Sequence, residues 1–170
     1  MKTCPYCGLS VKFLEEDIAF CEFCSLEMSS EYLNINGSRR KMDPDPYISL
    51  DKISEMSTSV LFTASAYELV IMLYLLRRER RERYELLKTA NKVLELDRDT
   101  FESMAAETAD NYEFWTRKIF VIENVLIEKI GYVPRRITDA FLKEWKEKIL
   151  TSNKSLKPMV IRKKEGEGAL

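Results

Sequence analysis

Apolar positions follow two different rhythms along this chain. Near the N-terminus, Val11, Phe13, Ile18 and Phe20 are spaced as in strands around Glu15-Glu16-Asp17, which predicts a β-hairpin turning at the acidic residues. From Tyr47 to Ile130 there is neither Gly nor Pro, with Asp43-Pro44-Asp45-Pro46 before and Gly131 after, so long helices are predicted. One interior stop is expected, with Asp99 as N-cap and Glu102 completing a capping box. That gives a helix from Ser59 to Leu96 and another from Thr100 to Ile130, joined by a short turn and therefore antiparallel. In the second helix Phe101, Ala105, Thr108, Tyr112, Trp115, Ile119, Ile122 and Leu126 alternate steps of four and three, the seam of a coiled-coil-like pairing. Gly131 is placed as its C-terminal cap, with Pro134 beyond. Thr138 or Asp139 starts a last helix with Phe141, Leu142, Trp145 and Ile149 on one face, and a short leading helix covers Ser49 to Met56. The predicted class is mainly α: an antiparallel bundle or hairpin of long helices with a small N-terminal β-hairpin.

Composition supports the helical reading. Five Gly and five Pro in 170 residues are few chain breakers, which argues against an all-β fold. Histidine is absent altogether. Imidazole bases, His-ligated metals and His-activated nucleophiles are therefore excluded, and with them Ser-His-Asp, Cys-His, HExxH and Glu-x-x-His di-iron chemistries. No Gly-rich phosphate loop or matched carboxylate motif replaces them, so the expectation is a protein that is not an enzyme, with no catalytic residue assigned. Glu68, the one carboxylate in the apolar stretch Val60 to Leu76, is read as a structural pair or a polar spot between helices.

The four cysteines occur as Cys4-Pro5-Tyr6-Cys7-Gly8 and Cys21-Glu22-Phe23-Cys24, a C-x2-C-x13-C-x2-C pattern. Each pair offers two thiolates from one tight turn, and four soft ligands suit a single tetrahedral Zn2+. Gly8 is placed where the chain folds back at positive φ. With Cys4, Cys7, Cys21 and Cys24 all bound, no position remains for water, so the ion is structural and its binding energy is folding energy. These residues resemble the zinc-ribbon superfamily through its C-P-x-C-G first knuckle, over residues 1–30. Two departures stand out: Ser25 replaces the glycine that often follows the second pair, and the loop between pairs is slightly short. The resemblance implies a stabilising module of the kind found in nucleic-acid-binding, transcription-related and protein-binding proteins. Cys-Pro-Tyr-Cys is also a glutaredoxin-type redox motif. Its position argues otherwise, because thioredoxin-like folds place that pair after a central strand at a helix start, whereas here only Met1, Lys2 and Thr3 precede it. The organisation expected is a ribbon at 1–30, a linker at 31–46, a helical bundle at 47–150 and a flexible basic tail at 151–170.

Charge by segment bears on partners. Lys2 and Lys12 face Glu15, Glu16, Asp17, Glu22 and Glu27 in the ribbon, an acidic balance poorly suited to a phosphate backbone. Tyr6, Phe20 and Phe23, lacking nearby basic residues, are read there as small-domain core or a protein-contact surface. Positive charge gathers at Arg77, Arg78, Arg80, Arg81 and Arg83, at Arg135-Arg136, and in a tail that includes Lys163 and Lys164. For the arginine run two readings stay open: a solvated face paired with itself through Glu79–Arg83, Arg78–Glu82 and Arg81–Glu85, or a contact patch for phosphate or an acidic protein. Met159-Val160-Ile161 is a candidate docking strand or peptide. The first function expected is a zinc-binding adaptor or regulator with a protein partner in transcription or nucleic-acid processing. The second is direct DNA or RNA binding through the basic helix and tail. A homodimer through the long helices is open. No secretory signal or favoured membrane span appears, and paired thiols fit a reducing, cytoplasmic setting.

Overall fold

The computed structural model describes residues 1–160, which fall into two compact units: Met1–Pro44 with the chain from Glu147 onward, and Asp45–Lys146. In the first unit, β1 (Lys2–Thr3) is followed by β2 (Lys12–Phe13), β3 (Ile18–Cys21) and β4 (Leu26–Ser29), then a single 3-10 turn at Ser30–Tyr32 and β5 (Asn34–Ile35). The predicted hairpin is present. β2 pairs antiparallel with β3, setting Lys12 opposite Phe20 and Phe13 opposite Ala19, and Glu15-Glu16-Asp17 lie in the turn. β4 adds a third strand to β3, and β5 returns to pair with β1, Thr3 opposite Asn34. The β-structure thus runs past residue 30, into the segment expected to be linker. Thr3 shows why the closure is specific: buried, its hydroxyl donates to the Asn34 carbonyl (3.2 Å) and accepts from the Gly37 N–H (3.0 Å). Both polar demands of the hydroxyl are met without water.

The second unit is helical: α1 (Leu50–Glu55), α2 (Thr58–Thr63), α3 (Ala66–Leu96), α4 (Arg98–Ile130) and the start of α5 (Asp139–Ser155). The long helix expected from Ser59 is broken. Ser65 caps α3 in a full capping box with Glu68: the Glu68 N–H donates to Ser65 Oγ (3.2 Å) and the Ser65 N–H to Glu68 Oε2 (2.7 Å). The N-cap of α4 is Asp97 rather than Asp99, its carboxylate accepting from the Thr100 N–H at 3.2 Å. Asp97 also ends α3, so one residue joins the two long helices. Gly131 closes α4 at φ 81, donating to the Ile127 carbonyl (2.8 Å), and the Thr138 hydroxyl accepts from the Phe141 N–H at the start of α5. The first residues expected in the tail belong instead to α5, which runs through Ser155.

The predicted α4 seam faces α3, with Ala105, Trp115, Ile119, Ile122 and Leu126 buried. Trp115, Ile119, Ile122 and Leu126 join Leu69, Leu73 and Leu76 of α3 with Ile53 and Leu61 in one core. Lys118 reaches under the end of α1, where its ammonium donates to the carbonyls of Ser54 (3.2 Å) and Met56 (2.8 Å), a favourable place for a cation. Burial holds its pKa below the usual lysine range. Tyr67 packs against Trp145 with the rings tilted, and Trp145 also meets Phe141 edge-on, while the Tyr74 hydroxyl donates to Asp139 (2.8 Å), fixing the start of α5 on the bundle. Among the described residues, no helix is long and apolar enough to cross a membrane.

Candidate metal centre

Both knuckles are built by backbone turns that the sequence makes inexpensive. After β1, the Cys4 N–H donates to the Leu9 carbonyl (2.8 Å) and the Gly8 N–H to the Cys4 carbonyl (3.0 Å), with Gly8 at φ 76. This wraps Pro5 and Tyr6 around the outside and turns Cys4 and Cys7 the same way. The second knuckle leaves the end of β3 at Cys21 and re-enters at Leu26, paired with Cys21, with Ser25 at φ 50 making the reversal. Here the departure from glycine carries a conformational cost of about 1–2 kcal/mol.

The four Sγ atoms converge, all lying within 4.8 Å of one another. Cys4 and Cys24 are 3.8 Å apart and Cys7 and Cys21 3.4 Å. A tetrahedral ion with metal–sulfur bonds of about 2.3 Å requires sulfur–sulfur edges of about 3.8 Å, so the cluster fits one ion with little adjustment. Cys4 and Cys21 are buried, Cys7 and Cys24 half-buried. Without a cation the thiols divide. Burial alone would raise Cys4, but the backbone N–H groups of Cys7 and Tyr6 bring it down to about 7. Burial raises Cys7, and burial with hydrogen bonds from the neighbouring thiols pushes Cys24 up to about 12. A bound dication reverses that logic, since it favours thiolate at every sulfur. An ion bound by all four sulfurs would have no coordination position open for water.

The arginine run is dispersed by the fold. Arg77 is committed within the bundle, donating to the Pro134 and Arg135 carbonyls (2.8 and 3.2 Å) and pairing with Glu123 (2.8 Å). Arg83 pairs with buried Glu79 at 2.6 Å, as the spacing predicted. Arg78 lies against the Tyr74 ring, and Glu85 pairs with Lys88. Arg78 and Arg81 remain exposed and Arg80 half-buried. Lys163 and Lys164 lie outside the described residues.

Sequence reasoning missed a cavity of about 890 Å³ beside the first knuckle, which brings Tyr6 and Phe23 together with Arg39, Arg40, Leu156 and Met159. Basic side chains are therefore near the knuckle aromatics, against expectation. The available signals were the Gly37-Ser38-Arg39-Arg40 run and the apolar Met159-Val160, whose docking was anticipated: the Met159 N–H donates to the Gly37 carbonyl at 2.8 Å. No family model, curated protein or solved structure matches the chain.

Proposed function

We propose that this protein is a non-enzymatic adaptor whose N-terminal ribbon is held by one structural Zn2+ on Cys4, Cys7, Cys21 and Cys24, and which acts by binding a protein partner. The observation that carries the reading is the convergence of four thiols within 4.8 Å of one another, in knuckles whose aromatics Tyr6 and Phe23 are 70% and 78% exposed. A rigid small domain displaying large apolar rings suits recognition of another macromolecule. The resemblance to zinc ribbons extends the proposal to a partner in transcription or nucleic-acid processing.

A second reading is direct nucleic-acid binding by the exposed Arg78 and Arg81 on α3. It is weakened by the engagement of Arg77 and Arg83 in ion pairs. Affinity purification from native cells at low and high salt, with mass spectrometry, nucleic-acid staining and metal analysis, separates the two. The adaptor reading expects one zinc per chain and a protein that persists at high salt. Recovery of nucleic acid alone, lost at high salt and on Arg81→Glu, overturns it.

A further inference from the structure

The cavity beside the first knuckle belongs to no part of the metal centre's own work. Its volume, about 890 Å³, lies within the range of about 300–1,000 Å³ usual for ligand clefts. Tyr6, Leu9, Phe23, Leu156 and Met159 make much of it apolar. Arg39 and Arg40 are the only charged side chains among its described lining residues, which include no carboxylate. Arg39 uses its Nε–H on the Lys157 carbonyl (3.1 Å), which orients the guanidinium while leaving its terminal N–H groups available, and Arg40 is exposed. The walls are also fixed in advance. Met159 is tied to Gly37, and at Gly8 a Cβ would come within 2.9 Å of Met159 Cβ, so this contact tolerates nothing larger than glycine.

We propose, building on the adaptor reading, that this cavity docks a short acidic segment of the protein partner, with an aromatic or branched apolar side chain flanked by carboxylates. The apolar side chain enters among Tyr6, Phe23, Leu156 and Met159, and the carboxylates take the guanidiniums of Arg39 and Arg40, the fork geometry that arginine offers best. A polynucleotide is the poorer match. Two cations do not track a phosphate backbone, and a largely apolar cleft favours a side chain over a charged strand.

The test is selection of random displayed peptides on the zinc-loaded full chain, followed by fluorescence polarisation with the enriched sequences and, in parallel, labelled oligothymidylate. Enrichment of Asp or Glu beside Trp, Phe or Leu is expected, with affinity falling about tenfold or more on Arg40→Glu and on Phe23→Ala. Both side chains are exposed, and unchanged zinc content and melting temperature verify that the fold is intact. Recovery of sequences without carboxylates, indifference to Arg40→Glu, failure to enrich any peptide, or oligothymidylate binding with the same sensitivity overturns the proposal. The outcome is separable from the adaptor reading: a native partner that Arg40→Glu leaves bound keeps the adaptor and removes the cavity, whereas the absence of any native protein partner removes the adaptor itself.

Discussion

Ser25 and Gly8 occupy equivalent turns of the two knuckles at φ 50 and φ 76, and only one of them is the residue that this backbone prefers. Ser25→Gly is expected to stabilise the folded ribbon by up to about 1 kcal/mol, by relieving left-handed strain against the added freedom of the unfolded chain. Gly8→Ala should do the opposite and cost more than its φ alone, because the new Cβ meets Met159; Met159→Gly should restore the steric part only. Chelator resistance of Ser25→Gly, Gly8→Ala and the double Gly8→Ala, Met159→Gly variant measures both effects. The thiols set a pH dependence. Cys7 and Cys24 are raised and thus protonated at neutral pH without metal, so an incoming ion must displace their protons. Metal-dependent stability is then present at higher pH and lost as pH falls. Competition with a chromophoric chelator between about pH 6 and 8 should show affinity rising with pH, together with proton release. These ligands were legible because spacing alone specifies a C-x2-C turn. Arg39 and Arg40 were not, because their role depends on Leu156 and Met159, far away in sequence.

Helix boundaries show how one local rule can hide another. The absence of Gly and Pro from Tyr47 to Ile130 suggested continuity, yet Ser65-x-x-Glu68 is a complete start signal inside the apolar run. Glu68 was read as a structural pair or a polar spot between helices, whereas its carboxylate accepts from the backbone N–H three residues earlier. Asp99 was expected as the cap of α4, and Asp97 takes that position because its carboxylate accepts from the Thr100 N–H. The period of α4, by contrast, was readable since each alternating step of four or three returns a residue to the face against α3. Ser65→Ala should destabilise the bundle by about 0.5–2 kcal/mol, and Leu73→Ala, at a fully buried position, by about 2–5 kcal/mol. Thermal unfolding followed by circular dichroism distinguishes them, with Glu68→Ala expected to resemble Ser65→Ala because the capping box is reciprocal.

Two compact units in one chain predict separable responses to metal removal. Chelation should strip hydrogen-exchange protection from the Cys4, Gly37 and Met159 amides, whose partners lie in the first unit, while amides within α3 and α4 stay protected. Equal loss in both would refute independent stability. The mainly α fold with its small β module was evident from periodicity and breakers. The return of β5 onto β1 was not, since two-residue strands carry almost no pattern. Completion of the first unit from both sides of the helical segment also bears on biosynthesis. As the polypeptide leaves the ribosome, the sulfur ligands emerge early and Met159 follows only after the entire α3–α4 pair, so a nascent chain can load its ion long before the recess against Gly37 gains its final wall.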